Sequence, residues 1–385
     1  MIKLADKNIE DNDINVLIEW LSKTDRYTKG EQTKQFEQEW CNWQQSEYSV
    51  FVNSGSSANF LIVAALLYSG FLRNKKIIVP AVSWATTVSP AIMLGMEPIL
   101  CDSDEDNLGL SVEDFERLCR DHKPAMAMIV HVLGHANHMS EIINICERYD
   151  VILVEDTCEA YGSTYKGKKL GNFGIASTFS YFYGHQMSTV EGGMVCTNNR
   201  ELYNIMLSIR SHGWLRDNDE AFTQKYLQKY EMHDAFSMKY FFVFPGFNIR
   251  NTDISAVVGR SQIKRIDNNI MARDKNYRKF SAALEGKVWI QKSDTDLISS
   301  LSFGIIDENR KQIVEALIEN NVECRPLICG SIQEHPFWYE RYPKRELPNA
   351  QRVHDYGFYI PCHQHLTEEQ INFISEIIIK NGANK

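Results

Sequence analysis

The chain has 385 residues, more than one ordinary core requires, so two closely packed lobes are expected. Hydrophobic residues make up 44% and charged residues 24%, the balance of a soluble globular protein, and 41 basic against 50 acidic residues leave a net charge of −9, which disfavours a nucleic-acid binder that works by neutralising phosphates. No apolar run approaches the ~20 residues of a membrane span, MIKLADKNIEDNDI lacks an apolar signal core, and nine cysteines without a close pattern predict reduced thiols in the cytoplasm.

The strand candidates in chain order are YSVFV (48–52), KIIVPA (76–81), EPILC (97–101), AMAMIVHV (125–132), VILVE (151–155), ASTFSYF (176–182) and GGMVCT (192–197). Most are continuous apolar runs, as expected for strands covered on both faces. Helical segments alternate with them: Ser57–Tyr68, Ala85–Leu94, Ser111–Asp121 and Met139–Tyr149, the last with Ile142, Ile143 and Cys146 at helical spacing. This alternation predicts an open, mostly parallel seven-stranded α/β sheet over residues 1–254. From 255 to 385 the pattern becomes a smaller α+β domain, beginning with a stretch from Asp253 to Glu285 that is long for one helix and is expected to bend. No Pro/Gly/Ser linker marks the division. Ligands of such sheets sit at the carboxyl ends of the strands, so residues just after strands carry the most weight.

Four segments there bear chemistry. NSGSSANF (53–60) opens a helix, and Gly55, Ser56 and Ser57 suit either a phosphate or an ordinary capped turn. PAVSWATT places Trp84 where an aromatic ring stacks on a flat cofactor or simply packs. VEDTCEA brings Glu155, Asp156 and Glu159 to a strand end; alternation turns Glu155 and Asp156 to opposite faces, so only one meets a pocket. SYFYGHQMSTVEGGMV carries Ser180 on the strand and His185 in the following loop, with Gly192-Gly193 allowing a tight return. The histidines of HVLGHANH, His131, His135 and His138, have spacings that suggest a metal, but a strand ends at the first and the chain turns at Gly134, so they are expected to diverge and no metal is assigned.

Together YTKGEQTKQFE, NSGSSAN, PAVSWATT, VEDTCEAYGSTYKGKKLGNFG, TFSYFYGH…EGGMV and FPGFNIRNTDISAVVG resemble the pyridoxal-phosphate sugar aminotransferases of the DegT–StrS group, from about residue 25 to 380. The resemblance implies fold type I, the aspartate aminotransferase-like architecture. In that family a lysine six residues before the glutamate of EGG holds pyridoxal phosphate as a Schiff base. Counting back from Glu191 gives His185, and no lysine lies between Lys169 and Lys225. The cofactor is therefore expected to be held non-covalently. Within the family, histidine at this position marks the sugar 3-dehydratases, and RSHGWLRDN, FVFPGFNIR, VECRPLICG and GFYIPCHQ carry a closer likeness to those acting on GDP-linked 4-keto-6-deoxyhexoses. A second dehydratase branch uses an iron–sulfur cluster, which needs about four clustered thiolates. No cysteine falls between Cys196 and Cys324, so the cluster-free branch is favoured.

By this resemblance, Asp156 pairs with the pyridine nitrogen, Trp84 lies on a ring face, Gly55, Ser56, Ser57 and Ser180 hold the phosphate, and Glu159 is counted with these cofactor-binding residues. Asn248 reaches the phosphate of a neighbouring subunit, implying a homodimer with shared sites. His185 is the acid/base, His212 assists with the sugar or with protons, and Arg216, Arg250 and Arg325 are candidates for glutamate carboxylates or the nucleotide pyrophosphate. Glutamate converts pyridoxal phosphate to pyridoxamine phosphate, and the nucleotide sugar then loses its 3-hydroxyl, a step of colitose-type dideoxysugar and O-antigen synthesis. Two other readings stand beside this one: a nucleotide-sugar 4-aminotransferase with its lysine replaced by histidine, and a non-catalytic pyridoxal-phosphate-binding regulator.

Overall fold

In the computed structural model, which describes residues 1–383, the seven expected strands form one sheet. They are β1 (Tyr48–Val52), β2 (Lys76–Pro80), β3 (Glu97–Cys101), β4 (Met126–Val130), β5 (Ile152–Asp156), β6 (Ala176–Ser180) and β7 (Gly193–Thr197), in the spatial order β1-β7-β6-β5-β4-β2-β3. Pairing is parallel from β6 through β3, and β7 runs antiparallel between β1 and β6. The continuous apolar runs arise because both faces are covered. Ile77, Val79 and Val154 pack with the helices Gly55–Ser69 and Arg200–Arg210, whereas their neighbours Ile78 and Leu153 pack with Phe115 and Ile142 of the helices Val112–His122 and Met139–Tyr149. Each such fully buried aliphatic side chain contributes about 1.5–3 kcal/mol relative to exposure.

The fourth strand is shorter than AMAMIVHV suggests. The chain leaves the sheet after Val130, the His131 ring turns to Glu155, and Leu133 takes a left-handed conformation at φ 52°. Beyond the sheet, the long helical stretch bends as expected, with Asp253–Gln262 and Ile266–Leu284 separated by a 3-10 turn at Ile263–Arg265. Residue 255 lies within the first of these helices. A second, antiparallel sheet follows: β8 (Trp289–Ile290), β9 (Ser302–Ile306), β10 (Arg325–Pro326) and β11 (Gly357–Pro361), in the order β8-β9-β11-β10. Its core joins Phe303, Ile305 and Phe358 to Phe280 and Ile374 of the helices Ile266–Leu284 and Glu368–Asn381.

Among the described residues no helix is long and apolar enough to cross a membrane. All nine cysteines are free thiols.

Candidate active site

The carboxyl ends of β4, β5 and β6, the N-terminus of the helix Gly55–Ser69 and the edge of the second sheet enclose a cavity of about 590 Å³. Eight of the residues singled out from sequence line it: Gly55, Ser56, Trp84, Asp156, Glu159, Ser180, His185 and Arg325.

At the helix start Ser54 caps the first turn, its Oγ accepting from the Ser57 amide at 3.0 Å. That occupies Ser57 in the turn and leaves Gly55 and Ser56 facing the cavity. A Cβ on Gly55 would lie 2.6 Å from Cβ of Ser180, and one on Gly193 would lie 2.3 Å from the Ser54 carbonyl oxygen. The glycines here serve close approach of β6, β7 and the helix N-terminus, not an unusual turn. The result is a small cradle of amide and hydroxyl donors at the positive end of a helix dipole, suited to a phosphate.

Deeper in the cavity stands Asp156, the last residue of β5. Its Oδ2 accepts from Asn59 Nδ2 and Thr87 Oγ1, each at 2.8 Å, and its Oδ1 from the Cys158 amide at 3.1 Å. The Asn59 amide is itself oriented by Thr178, whose hydroxyl donates to Asn59 Oδ1 at 2.6 Å. Asn59 sits one helical turn beyond Gly55, so a single helix face supplies both phosphate cradle and carboxylate support. Neither Asn59 nor Thr87 is singled out by the sequence reading, although the i, i+4 spacing of Gly55 and Asn59 is its visible trace. As alternation requires, Glu155 points to the other face, where its oxygens accept from His131 at 3.0 Å and from the amides of Gly171, Phe173 and Gly174. Burial pushes the Glu155 carboxyl up, but His131 and those amides outweigh it and hold it below the usual range.

Glu159 behaves oppositely. Burial raises its carboxyl to about 8, against the 2.8 Å hydrogen bond from the Leu133 amide and with help from the Asp156 charge. It carries a proton at neutral pH. His185 lies on the loop joining β6 and β7. Burial, reinforced by the Arg273 guanidinium, lowers its imidazole to about 4, so it is neutral at pH 7 and able to accept a proton. Its Nδ1 is buried and has no hydrogen-bond partner among the described residues. The loop itself is held on several sides. Gln186 donates to the carbonyls of Glu159 and Ser299, Met187 exchanges hydrogen bonds with the Tyr161 hydroxyl, and Ser188 exchanges them with Gln262. Trp84, 57% exposed, stands at the rim, with its indole free to cover a planar ligand.

These buried groups make stability depend on pH with a defined sign. His135, His185 and His363 are lowered from 6.5 to about 3, 4 and 4, all chiefly by burial. As pH falls from 6.5 towards 4, the unfolded chain takes up protons that the folded one refuses, so stability is lost in that window by about 1.4 kcal/mol per pH unit per proton. Glu159 has the opposite linkage. Its contribution is complete below 4.5 and lost as pH rises through 8. The melting temperature is therefore expected to peak near pH 6.5, fall steeply to pH 5 and fall more gently to pH 8.5. A Glu159→Gln variant keeps the acid limb and flattens the alkaline one. A melting temperature constant between pH 5 and 6.5 would contradict this account.

The remaining expected residues lie elsewhere in the single chain. Arg216, Asn248 and Arg250 line a separate cleft of about 910 Å³ together with Arg26, Lys29 and Lys34. There Arg250 Nε donates to Asn248 Oδ1 at 2.9 Å, and Arg216 stacks on Trp214 at 4.6 Å. His212 has φ 65°, donates its amide to the Phe247 carbonyl at 3.0 Å and packs edge-on against Trp214. The histidines of HVLGHANH diverge to three partners: His131 to Glu155, His135 to Ser293 and His138 to Asp104.

A predominantly parallel sheet with a side domain closing over the carboxyl ends of its strands is the aspartate aminotransferase fold, and this is a pyridoxal-phosphate enzyme of that class. The cradle at Gly55 and the buried carboxylate of Asp156 fit the two ends of that cofactor. The chain belongs to the DegT/DnrJ/EryC1/StrS aminotransferase family, whose profile matches residues 8–379. It is 32% identical to the GDP-4-keto-6-deoxy-D-mannose 3-dehydratase of Yersinia pseudotuberculosis over 98% of both chains. With the protein of the same name from Escherichia coli O55:H7 it shares 33% identity over 91% of this chain and 93% of that one. It is also 29% identical to the GDP-perosamine synthase of Escherichia coli O157:H7, over 95% of this chain and 93% of the relative. Among solved structures, E. coli GDP-4-keto-6-deoxy-D-mannose-3-dehydratase with bound hydrated PLP matches with a TM-score of 0.89 at 30% identity, covering 98% of this chain and 99% of that one.

Proposed function

We propose that the protein is a pyridoxal-phosphate-dependent lyase that removes the 3-hydroxyl of GDP-4-keto-6-deoxy-D-mannose, with glutamate as amino donor. One observation carries the reading. The cavity that presents Asp156 and the Gly55 cradle also presents the neutral imidazole of His185 where the family's resemblance places an amine. When bound and aminated, the cofactor supplies the amine that condenses with the 4-keto carbon and the ring system that accepts electrons released next to it.

The chain's own residues do the rest. Asp156 keeps positive charge on the ring nitrogen, its carboxylate fixed by Asn59 and Thr87. Gly55, Ser56 and Ser180 hold the phosphate, with Ser57 completing the turn beneath it. Trp84 covers the ring and excludes water, and protonated Glu159 offers a donor at its edge. His185 removes the proton beside the new carbon–nitrogen bond and passes a proton to the departing 3-hydroxyl. A single positioned acid/base of this kind contributes ~10²–10⁴ in rate. Arg325, at the cavity mouth and paired with Glu323 at 2.8 Å, is placed for a carboxylate or pyrophosphate oxygen. Overall, substrate and glutamate give the 4-keto-3,6-dideoxy sugar, 2-oxoglutarate and ammonia. The two electrons lost at the glutamate α-carbon are those gained at C3 of the sugar.

The exposed Phe182, Tyr183, Val190, Phe236, Phe242 and Phe247 support a homodimer, in which Asn248, Arg250, Arg216 and His212 of one chain meet the cavity of the other. A soluble cytoplasmic enzyme of colitose-type, O-antigen dideoxysugar synthesis follows from the substrate, and the free thiols agree with that compartment. Neither a membrane nor a nucleic-acid partner enters this reading. The GDP-perosamine synthase likeness keeps transamination at C4 as the competing outcome.

The test is to incubate the purified protein with pyridoxal phosphate, glutamate and GDP-, CDP- or dTDP-linked 4-keto-6-deoxy sugars. The proposal expects stoichiometric ammonia and a 3-deoxy product with the GDP sugar. A 4-amino sugar without ammonia would establish the aminotransferase, and no turnover with any sugar would favour a regulator.

A further inference from the structure

The first eight residues form a strap across the cavity mouth, with Lys3, Leu4 and Ala5 on its lining. Ile2 pairs with Val322 in parallel, its amide donating to the Asn321 carbonyl at 2.8 Å and its carbonyl accepting from Glu323 at 2.9 Å. The Leu4 amide donates to Glu323 Oε2 at 3.0 Å. After Lys7, held at φ 36°, the strap ends on Asn8, which is only 4% exposed. The two amide hydrogens of Asn8 Nδ2 meet two carbonyls of the catalytic loop, Tyr183 at 2.5 Å and His185 at 2.7 Å. Asn8 is gripped from behind. Gln364 Nε2 donates to its Oδ1 at 3.3 Å, and Arg265, itself paired with the buried Asp13, donates to its backbone carbonyl at 3.4 Å.

We propose that Asn8 is a positioning residue for His185: its carboxamide pins the backbone carbonyls on either side of Gly184 and thereby fixes where the imidazole stands in the cavity. The chemistry is selective for asparagine. Both acceptors are carbonyl oxygens, so the side chain must present two N–H donors there and an acceptor to Gln364. Aspartate has the same shape but would oppose two carbonyls with oxygen and leave them unpaired. The other contacts of the loop hold Gln186, Met187 and Ser188, beyond the histidine; Asn8 alone among these clamps acts on its near side. Because the strap also pairs with the residues around Glu323, the catalytic loop and the second sheet are tied through one short segment.

This inference rests on His185 being the acid/base, and the experiment separates the two. Asn8→Asp and Asn8→Ala are made in the full-length protein and assayed with pyridoxal phosphate, glutamate and GDP sugar. The His185 imidazole is titrated in parallel by NMR, with and without pyridoxal phosphate. The other ionisable groups lining the cavity, Lys3, Asp156, Cys158, Glu159, Tyr183, Glu191, Glu323, Arg325 and Tyr359, and Arg273, which acts on His185, are the same in both variants. A titration moved in Asn8→Ala, which adds no charge, therefore reports geometry, whereas the carboxylate of Asn8→Asp also raises the imidazole directly. Displacing a catalytic group by about an ångström costs ~10²-fold, so kcat is expected to fall ~10²-fold with KM for the sugar changed less than about twofold, and the His185 titration to shift upward towards the ordinary range. Asn8→Ala, which adds no charge, preserves the test should the aspartate variant fold poorly. Folded variants with wild-type kcat and an unmoved His185 titration would overturn the proposal. If His185→Asn dehydrates at the wild-type rate, the acid/base role of His185 fails instead, while the titration of the Asn8 variants continues to decide whether Asn8 positions the ring.

Discussion

Replacing His185 by asparagine is expected to lower dehydration by ~10²–10⁴-fold, the whole contribution of one positioned acid/base, while pyridoxal phosphate still binds. The separation follows from the layout. The proposed phosphate cradle belongs to the helix Gly55–Ser69 and to Ser180, the proposed ring-nitrogen partner to β5, and the proposed proton carrier to a loop outside both. Asparagine matches the reach of imidazole only in part and does not titrate near neutrality. His185→Lys is the sharper variant. It restores an amine six residues before Glu191, so borohydride should fix pyridoxal phosphate to the chain, and 3-dehydration should collapse as the amine becomes tied to the cofactor. Wild-type protein treated identically should show no covalent cofactor. Undiminished dehydration in either variant would remove His185 from the mechanism.

Asp156→Asn is expected to produce the second large loss. The carboxylate is 3% exposed and accepts three hydrogen bonds, from Asn59, Thr87 and the Cys158 amide. These three donors hold the carboxylate in one orientation, as pairing with a pyridine ring nitrogen requires. Breaking a buried charge pair by altering one partner costs about 3–5 kcal/mol, so turnover and cofactor affinity together should drop by roughly 10²–10⁴-fold. Equilibrium dialysis of pyridoxal phosphate separates the binding share from the catalytic share. Asp156→Asn with unaltered turnover and affinity would mean that the ring nitrogen is not its partner. A Thr87→Val variant removes one supporting hydrogen bond, worth about 1 kcal/mol, and should show the same defects in weaker form.

The large sheet is legible from sequence because its strands are buried on both faces. Runs such as YSVFV and EPILC need no alternation, and each is bounded by a polar or turning residue. Failures fall where tertiary contacts override local pattern. AMAMIVHV reads as apolar to its end, yet His131 is drawn out of the sheet by Glu155, 24 positions later. The segment VECRPLI joins the second sheet only through Arg325–Pro326: proline has no amide hydrogen to donate, and Ile328 at φ 53° turns the chain away. The site divides in the same manner. Gly55, Ser56, Trp84, Asp156, Glu159, Ser180 and His185 follow strand ends, where function concentrates in such sheets, and they do converge. Asn8 carries no such mark. Its partners lie 175 and 177 positions away, and a single asparagine ahead of a helix looks like any other.

The reversed direction of β7 has a consequence for how this scaffold changes its chemistry. A strand running back beside β6 turns the segment from Tyr181 to Gly192 into a closed bridge, with Ser180 opposite Gly193 and both abutments set in the sheet. A tip so anchored keeps its place when one side chain on it is exchanged. An amine at position 185, as in His185→Lys, and the imidazole of this chain would thus stand on the same foundations.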